Sequence, residues 1–454
     1  MQIVIPAHAA YRTIRLHGQR GPTPWESIAS CPDRAAGVQS IVLFDRSEEA
    51  RYLPDRAPNI DALINITRHR SRERALKAET LAAATRALLV MPNVHNLVFS
   101  ATLSGDTPAC HAAEAAFWGA ISSHGSLRHL EYSQAVGSPT LLPRYTTDVR
   151  MYPFWSISDL TSLSVRHAAF LRHPPSVIQF SRVLRSSPAL ESLSIEAQVP
   201  SFDLHALLHD VRFPRLRTLA LALAVHPAHS DPAAGALAAF LERTPTLEHA
   251  AWRHIDPGPL SPRALPSLRS LRAEVPDSPG GAGRGLLLRG GAELAALGPV
   301  CIAPRTVDAM ALMRREALCL LDVAAFESIA MLVRAVRLFP RLRWLRVPAV
   351  DYWYAYAPAT PAPVHLGEWV QLLGSLPTLE VFRGVSIFRD PELIGPDDND
   401  QRARDLINIC PRLQRVEHWD LEPTREIALT REGNRASWRV EVVDNPDERF
   451  TWWT

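Results

Sequence analysis

Lysine is nearly absent from this sequence. Lys77 is the only one among 49 basic side chains in 454 residues. Arginine, alanine and proline are used heavily instead, a bias that coding-base composition explains more simply than selection for guanidinium chemistry. Net charge is low as well, at +2. That excludes a global basic field for drawing in nucleic acid or an anionic membrane. Cysteine is sparse: Cys31, Cys110, Cys301, Cys319 and Cys410, without a C-x-x-C pair. An odd, scattered set excludes a disulfide framework and reads as a reduced protein of the cytoplasm or nucleus. No apolar run approaches the roughly 18 residues that suggest a membrane span. The start, MQIVIPAHAAYRTIRL, has no positive n-region and only a short, broken apolar run, so no secretory signal is expected.

Catalytic signatures are missing too. There is no G-x-S-x-G and no recognisable cysteine-nucleophile motif. The glycines of VPDSPGGAGRGLLL (275–288) lack both G-x-G-x-x-G spacing and a P-loop lysine, so the stretch reads as a surface loop. His205 and His209 stand one helical turn apart beside Asp210, but Ala206 holds the place where a zincin needs its glutamate base. PDDND (396–400) lacks EF-hand spacing and reads as the acidic start of a helix. These absences predict no catalytic residue, no cofactor and no metal.

What the chain does have is one phrase, many times over. SPALESLSI, FPRLRTLAL, LPSLRSLRA, FPRLRWLRV, LPTLEVFRG and CPRLQRVEH share an apolar-x-x-apolar-x-apolar frame, with Pro two residues before it. Looser copies bring the frames to fifteen. They lead at Tyr11, Val38, Ile60, Val94, Leu127, Leu160, Leu190, Leu216, Leu247, Leu268, Leu297, Leu318, Leu342, Leu379 and Leu413, about 29 residues apart on average. Between them lie helical patterns. In DPAAGALAAFLERTP (231–245), Asp231 can cap, Pro232 suits the first helical position, and Leu237, Phe240 and Leu241 recur at helical spacing. Pro245 then stops the helix, because a residue before proline avoids the α region. Each unit is thus a short strand with a variable helical return. One such rung cannot bury its apolar edge alone, and stacked rungs can. The predicted fold is α/β: about fifteen rungs over 1–424 forming a curved parallel sheet lined by return helices, then an antiparallel hairpin cap over 425–454. The hairpin is EIALT, a turn, and ASWRVEVV, with Trp438, Trp452 and Trp453 as cap core.

The recurring P-x-L-x-x-L-x-[apolar] phrase and the tail LQRVEHWDLEPTREIALTREGNRASWRVEVV resemble the leucine-rich-repeat fold, over essentially the whole chain. They are most similar to the irregular long repeats that follow F-box motifs in large fungal protein families. Regular repeats of that fold carry Asn or Cys just after the strand; Ala168, Gln198 and Ala224 stand there instead. Nothing like an F-box precedes Tyr11. The resemblance implies a non-catalytic protein-recognition module, the substrate-receptor part of an F-box-type (SCF) ubiquitin-ligase adaptor that lacks or has lost its F-box. A Skp-type linker would then be a partner only if an F-box lies upstream. Alternatives are a free-standing leucine-rich-repeat scaffold, or a hydrolase or metal enzyme on the same solenoid.

The expected binding surface is the concave face, formed by residues two, four and six places after each leading one. Its middle row has mixed signs, with Arg272, Arg346 and Arg383 toward the C-terminal half; the frame at Leu297 also puts Cys301 in it. A continuously basic groove with stacking rings would suit RNA. This row favours a protein substrate or peptide, with no nucleic acid and no membrane. Trp344, and the aromatic loop of Tyr352, Trp353, Tyr354 and Tyr356, complete the candidate partner-binding set, since large amphipathic rings anchor interfaces.

Overall fold

The repeated phrase becomes a turn followed by a short strand in the computed structural model. The structure describes residues 13–17, 23–44, 78–100, 108–133, 152–166, 169–172, 174–198, 203–224, 230–253, 255, 257, 260–261, 263–274, 293–350, 366–391, 396–419, 425–432 and 435–442. They fall into two compact units, 1–246 and 247–454.

The first unit holds β1 (Thr13–His17), β2 (Ser40–Phe44), β3 (Asn96–Ser100), β4 (His129–Ser133), β5 (Ser162–Arg166), β6 (Ser192–Gln198) and β7 (Thr218–Ala224). Each pairs in parallel with the next. The second unit holds β8 (His249–Arg253), β9 (Ser270–Glu274), β10 (Ala296–Ile302), β11 (Leu320–Phe326), β12 (Trp344–Val350), β13 (Val381–Val385) and β14 (Arg415–Glu417), again parallel and in chain order. β15 (Arg425–Glu432) joins β14 antiparallel, and β16 (Arg435–Val442) closes a hairpin with it. Fourteen of the fifteen frames carry a described strand. The frame at Ile60 lies outside the described residues, as do Trp452 and Trp453.

The frame works the same way in most rungs. Leu190 closes the turn, its N–H donating to the Ser187 carbonyl at 3.1 Å. The next two N–H groups, of Glu191 and Ser192, share the Thr161 carbonyl of the preceding rung at 2.8 and 3.1 Å. The strand then begins, and Leu193 and Ile195 turn inward beside Leu190. Each such side chain contributes about 1.5–3 kcal/mol by leaving water. The missing Asn ladder has a partial substitute one residue ahead of the frame. Hydroxyls of Ser126, Thr246 and Thr378 donate to the leading carbonyls of the previous rungs, Val94, Leu216 and Leu342, at 2.8, 2.8 and 2.9 Å. Buried turn carbonyls need such partners.

The returns form the expected helices. Ser230–Glu242 begins one residue before Asp231 and buries Ala233, Leu237, Phe240 and Leu241. Pro174–Arg185 buries Val177, Phe180, Val183 and Leu184. Ile329–Val336 is capped by Ser328, whose side chain accepts from the Met331 N–H at 3.3 Å. Leu366–Gly374 and Pro396–Ile409 complete the second unit's longer returns. Among the described residues no helix is long and apolar enough to cross a membrane.

Among the described residues, the first unit's core contains one carboxyl group. Glu114, on the helix Pro108–Ser122, is 2% exposed. Around it Trp118 packs edge-on against Phe154 at 4.9 Å and lies 5.1 Å from Phe99 and 5.9 Å from Tyr132. The Trp118 indole donates to Glu114 Oε1 at 3.3 Å. Burial pushes the Glu114 carboxyl up to about 7, and donors from Tyr152 and Trp118 offset only part of that.

The structure corrects the frame at Leu297. ELAALGPVCI offers two overlapping frames, and the one led by Leu294 is used. Leu297 is its second beat, in register with Leu271 and Leu321. β10 then bulges between Leu297 and Val300, so that Val300 pairs with Val323. The middle-row position in this rung is therefore Gly298, opposite Arg272, and not Cys301. A second irregularity lies between β12 and β13, after Arg346. Gly384 replaces the frame's third apolar beat there with φ +95°, and a Cβ at that position would collide with the Val347 carbonyl. Gly384→Ala is expected to lower stability by about 1–3 kcal/mol from conformation alone, read as a lower urea midpoint. An unchanged midpoint would show that the bulge relaxes.

Candidate partner-binding face

Alternation along the strands sends two rows of the second unit's sheet to one side. The first row is Leu320, Trp344, Val381 and Arg415, aligned by register across β11 to β14. All four are half-exposed. The second row is Asp322, Arg346, Arg383 and, on β14 beside it, Glu417, which faces Glu426 of β15.

The second row is an ionic cluster with unequal exposure. Arg383 is only 5% exposed. Its Nη1 lies 3.4 Å from Glu417 Oε1, and its Nη2 donates to Glu426 Oε2. Glu417 Oε2 also accepts from the Gly384 N–H at 3.0 Å. Glu426 is fully buried and is held from its other side by Arg415 at 3.2 Å. Arg346 stands 4.0 Å from the buried carboxylate of Asp322, with 45% of its own side chain exposed. Carboxylates thus form the inner layer, and two guanidinium groups, Arg346 and Arg415, reach the surface above them.

The expected set of arginines divides accordingly. Arg346 is on the outer surface. Arg272 is half-exposed, in register with Ala251 and Gly298. Arg383 differs from the outward, solvated residue that its place in the rung predicts. It faces the same side as Arg346, but two carboxylates from later strands enclose it. Trp344 lies between Leu320 and Val381, so it is part of an apolar strip. Beside it, Arg343 makes a bidentate contact with Glu380 at 2.9 and 2.7 Å, which pushes the guanidinium pKa up. Tyr352, Trp353, Tyr354 and Tyr356 lie outside the described residues.

Glu426 and Arg415 escaped sequence reasoning. Only the antiparallel register of β15 brings Glu426 opposite Glu417. A charged residue opening the apolar run EIAL was the one available signal.

The first unit's sheet presents different chemistry on its outward rows. Ser162, Ser192 and Thr218 align in one, and Ser164, Ser194 and Ala220 in the next. Glu131 and Arg166 pair there at 3.5 Å. The rings of His205 and His209 lie 4.4 Å apart and tilted on the exposed side of the short helix Leu204–Leu208, with His209 Nδ1 2.7 Å from Asp210 Oδ1. Among the described residues no three His, Cys, Asp or Glu side chains gather as a metal site. Trp438 of the hairpin lies 5.6 Å from Phe388 and donates to Asp400 Oδ1 at 2.7 Å, half-exposed.

No protein-family profile matches the chain. No curated protein matches it in sequence. Solved structures do match, among them a chain from the crystal structure of a TLR13–ssRNA13 complex. Identity to that chain is 13%, the alignment covers 72% of this chain and 42% of that one, and the TM-score is 0.28. The chain therefore matches less than half the length of that relative, and a likeness of this size carries no argument about ligand. The α/β architecture rests on the strands themselves: within each unit, parallel rungs with helical returns have the layout of leucine-rich repeats.

Proposed function

We propose that the chain is a non-catalytic protein-recognition module of the cytoplasm or nucleus. Its binding surface is the outward face of β11 to β14. One observation supports this most: a half-exposed tryptophan and an exposed arginine stand side by side there, over a layer of buried ion pairs. Tryptophan and arginine dominate interface energetics when they sit on a rigid, well-packed base. A parallel sheet built from many rungs provides such a base.

In its sharper form the module selects substrates for an F-box-type ubiquitin ligase. That reading draws on the resemblance of the repeated phrase to fungal F-box repeat proteins. Affinity capture with the full gene product separates the two levels. The adaptor predicts that a Skp-type linker and a cullin are recovered together with the partner. Recovery of a partner with neither would remove the ligase role and leave a free-standing scaffold. Loss of partner recovery in Trp344→Ala, with the fold intact by circular dichroism, is expected at either level.

A further inference from the structure

The exposure pattern of the β11–β14 face says more about what it takes. Its carboxylates are withdrawn: the side chains of Asp322, Glu417 and Glu426 are 7%, 12% and 0% exposed. Its surface cations are not: Arg346 and Arg415 are 45% and 36% exposed. A partner therefore meets positive charge, although the cluster is close to neutral in sum. Beside those cations runs the apolar strip Leu320, Trp344 and Val381. From Leu320 to Arg415 is three strand intervals, about 14 Å. An extended segment of about five residues spans that length.

We infer that this face binds an acidic peptide segment of a partner protein. An apolar side chain of the segment rests on Leu320, Trp344 and Val381, and its carboxylates meet Arg346 and Arg415. The inference rests on the recognition reading and specifies its partner. The buried acids hold the two guanidinium groups in place, so little side-chain freedom is lost on binding. An oligonucleotide fits less well. Single strands need several stacking rings along a continuous basic groove; this strip offers one ring flanked by aliphatic residues, with the Arg343–Glu380 pair at its side.

The test uses the full chain and three fluorescein-labelled probes. One is an eight-residue peptide of glutamates and leucines, one its counterpart with lysine for glutamate, and one an oligothymidine of eight nucleotides. The glutamate peptide is expected to bind by anisotropy at low salt, and to weaken as salt rises. Arg346→Gln and Arg415→Gln should each weaken it about fivefold or more, and Arg346→Lys should recover part of the loss. Because Arg415 also holds Glu426, near-UV circular dichroism checks that each variant is folded. Equal binding of the lysine peptide, tighter binding of the oligothymidine, unchanged affinity in both glutamine variants, or no binding of any probe would overturn the inference. The recognition reading is tested separately. If Arg346→Gln with Arg415→Gln captures the same cellular partners as the natural chain, recognition stands and this face does not.

Discussion

Replacing Arg383 with methionine is expected to cost about 3–5 kcal/mol of stability, the range for breaking one side of a buried ion pair. The loss does not come from the arginine's own contacts alone. Glu426 is fully buried, and Glu417 nearly so. Without Arg383, Glu417 keeps the Gly384 N–H, and Glu426 keeps Arg415. Two carboxylates in a poorly solvated site would then be left with one guanidinium, and that one lies on Glu426. The second unit's thermal midpoint is the measurement, and the hairpin β15–β16 should loosen first, since Glu426 ties it to β13. Adding Glu417→Gln to Arg383→Met should restore much of the loss, because it removes the charge left without a cation and can still accept from the Gly384 N–H. If the single variant melts within a degree of the natural chain, the cluster is ornamental. A rescue that fails points to packing of the arginine stem instead.

Glu114→Gln should do the opposite and stabilise the first unit, with an effect set by pH. The folded carboxyl titrates at about 7 against an ordinary 4.5. The folded state therefore binds the proton more tightly than the unfolded state. The stability associated with that proton is present below about pH 4.5 and is lost as pH rises through 7. The loss in the natural chain is about 3 kcal/mol at pH 8. Glutamine is neutral throughout and can still accept from the Trp118 indole. The two proteins should therefore melt alike near pH 4.5 and diverge by several degrees at pH 8, with the variant higher. A constant difference across that range would mean that the natural carboxyl is not protonated in the core. This titration is a structural consequence of one buried acid and is independent of the binding face.

Both residues mark where local pattern stops being informative. The rungs were legible because their information is local. Pro ends a helix, the frame closes a turn, and alternation sends Leu193 and Ile195 inward within five residues. No long-range contact is needed to read them. Arg383 was misjudged because a rung's own phrase says which side a residue faces and nothing about what stands beside it. Its environment is set by Gly384, Glu417 and Glu426, the last of these 43 residues away. Glu114 presents the same difficulty on a helix. In PACHAAEAAFWGAIS it could face water as easily as Glu79 does in its own helix. Tyr132 and Phe154, from later rungs, determine that it does not.

The β10 register shows the limit most sharply. Leu294, Leu297 and Val300 are evenly spaced, so two overlapping frames open in one dimension: the one led by Leu297 is completed by Ile302, and the one led by Leu294 has Pro299 in its third place. Pairing decides between them. Leu297 lies between Leu271 and Leu321 in one layer of the sheet, and a frame three residues later would break that layer. Sequence alone thus determined that this chain builds strand–helix rungs, where nearly all of them lie, and that a hairpin follows the last, because turns, helix stops and two-residue alternation are short-range. Tertiary structure decided which charges are buried, which arginines reach the surface and which of two frames β10 uses, because burial and pairing belong to neighbours brought together across rungs.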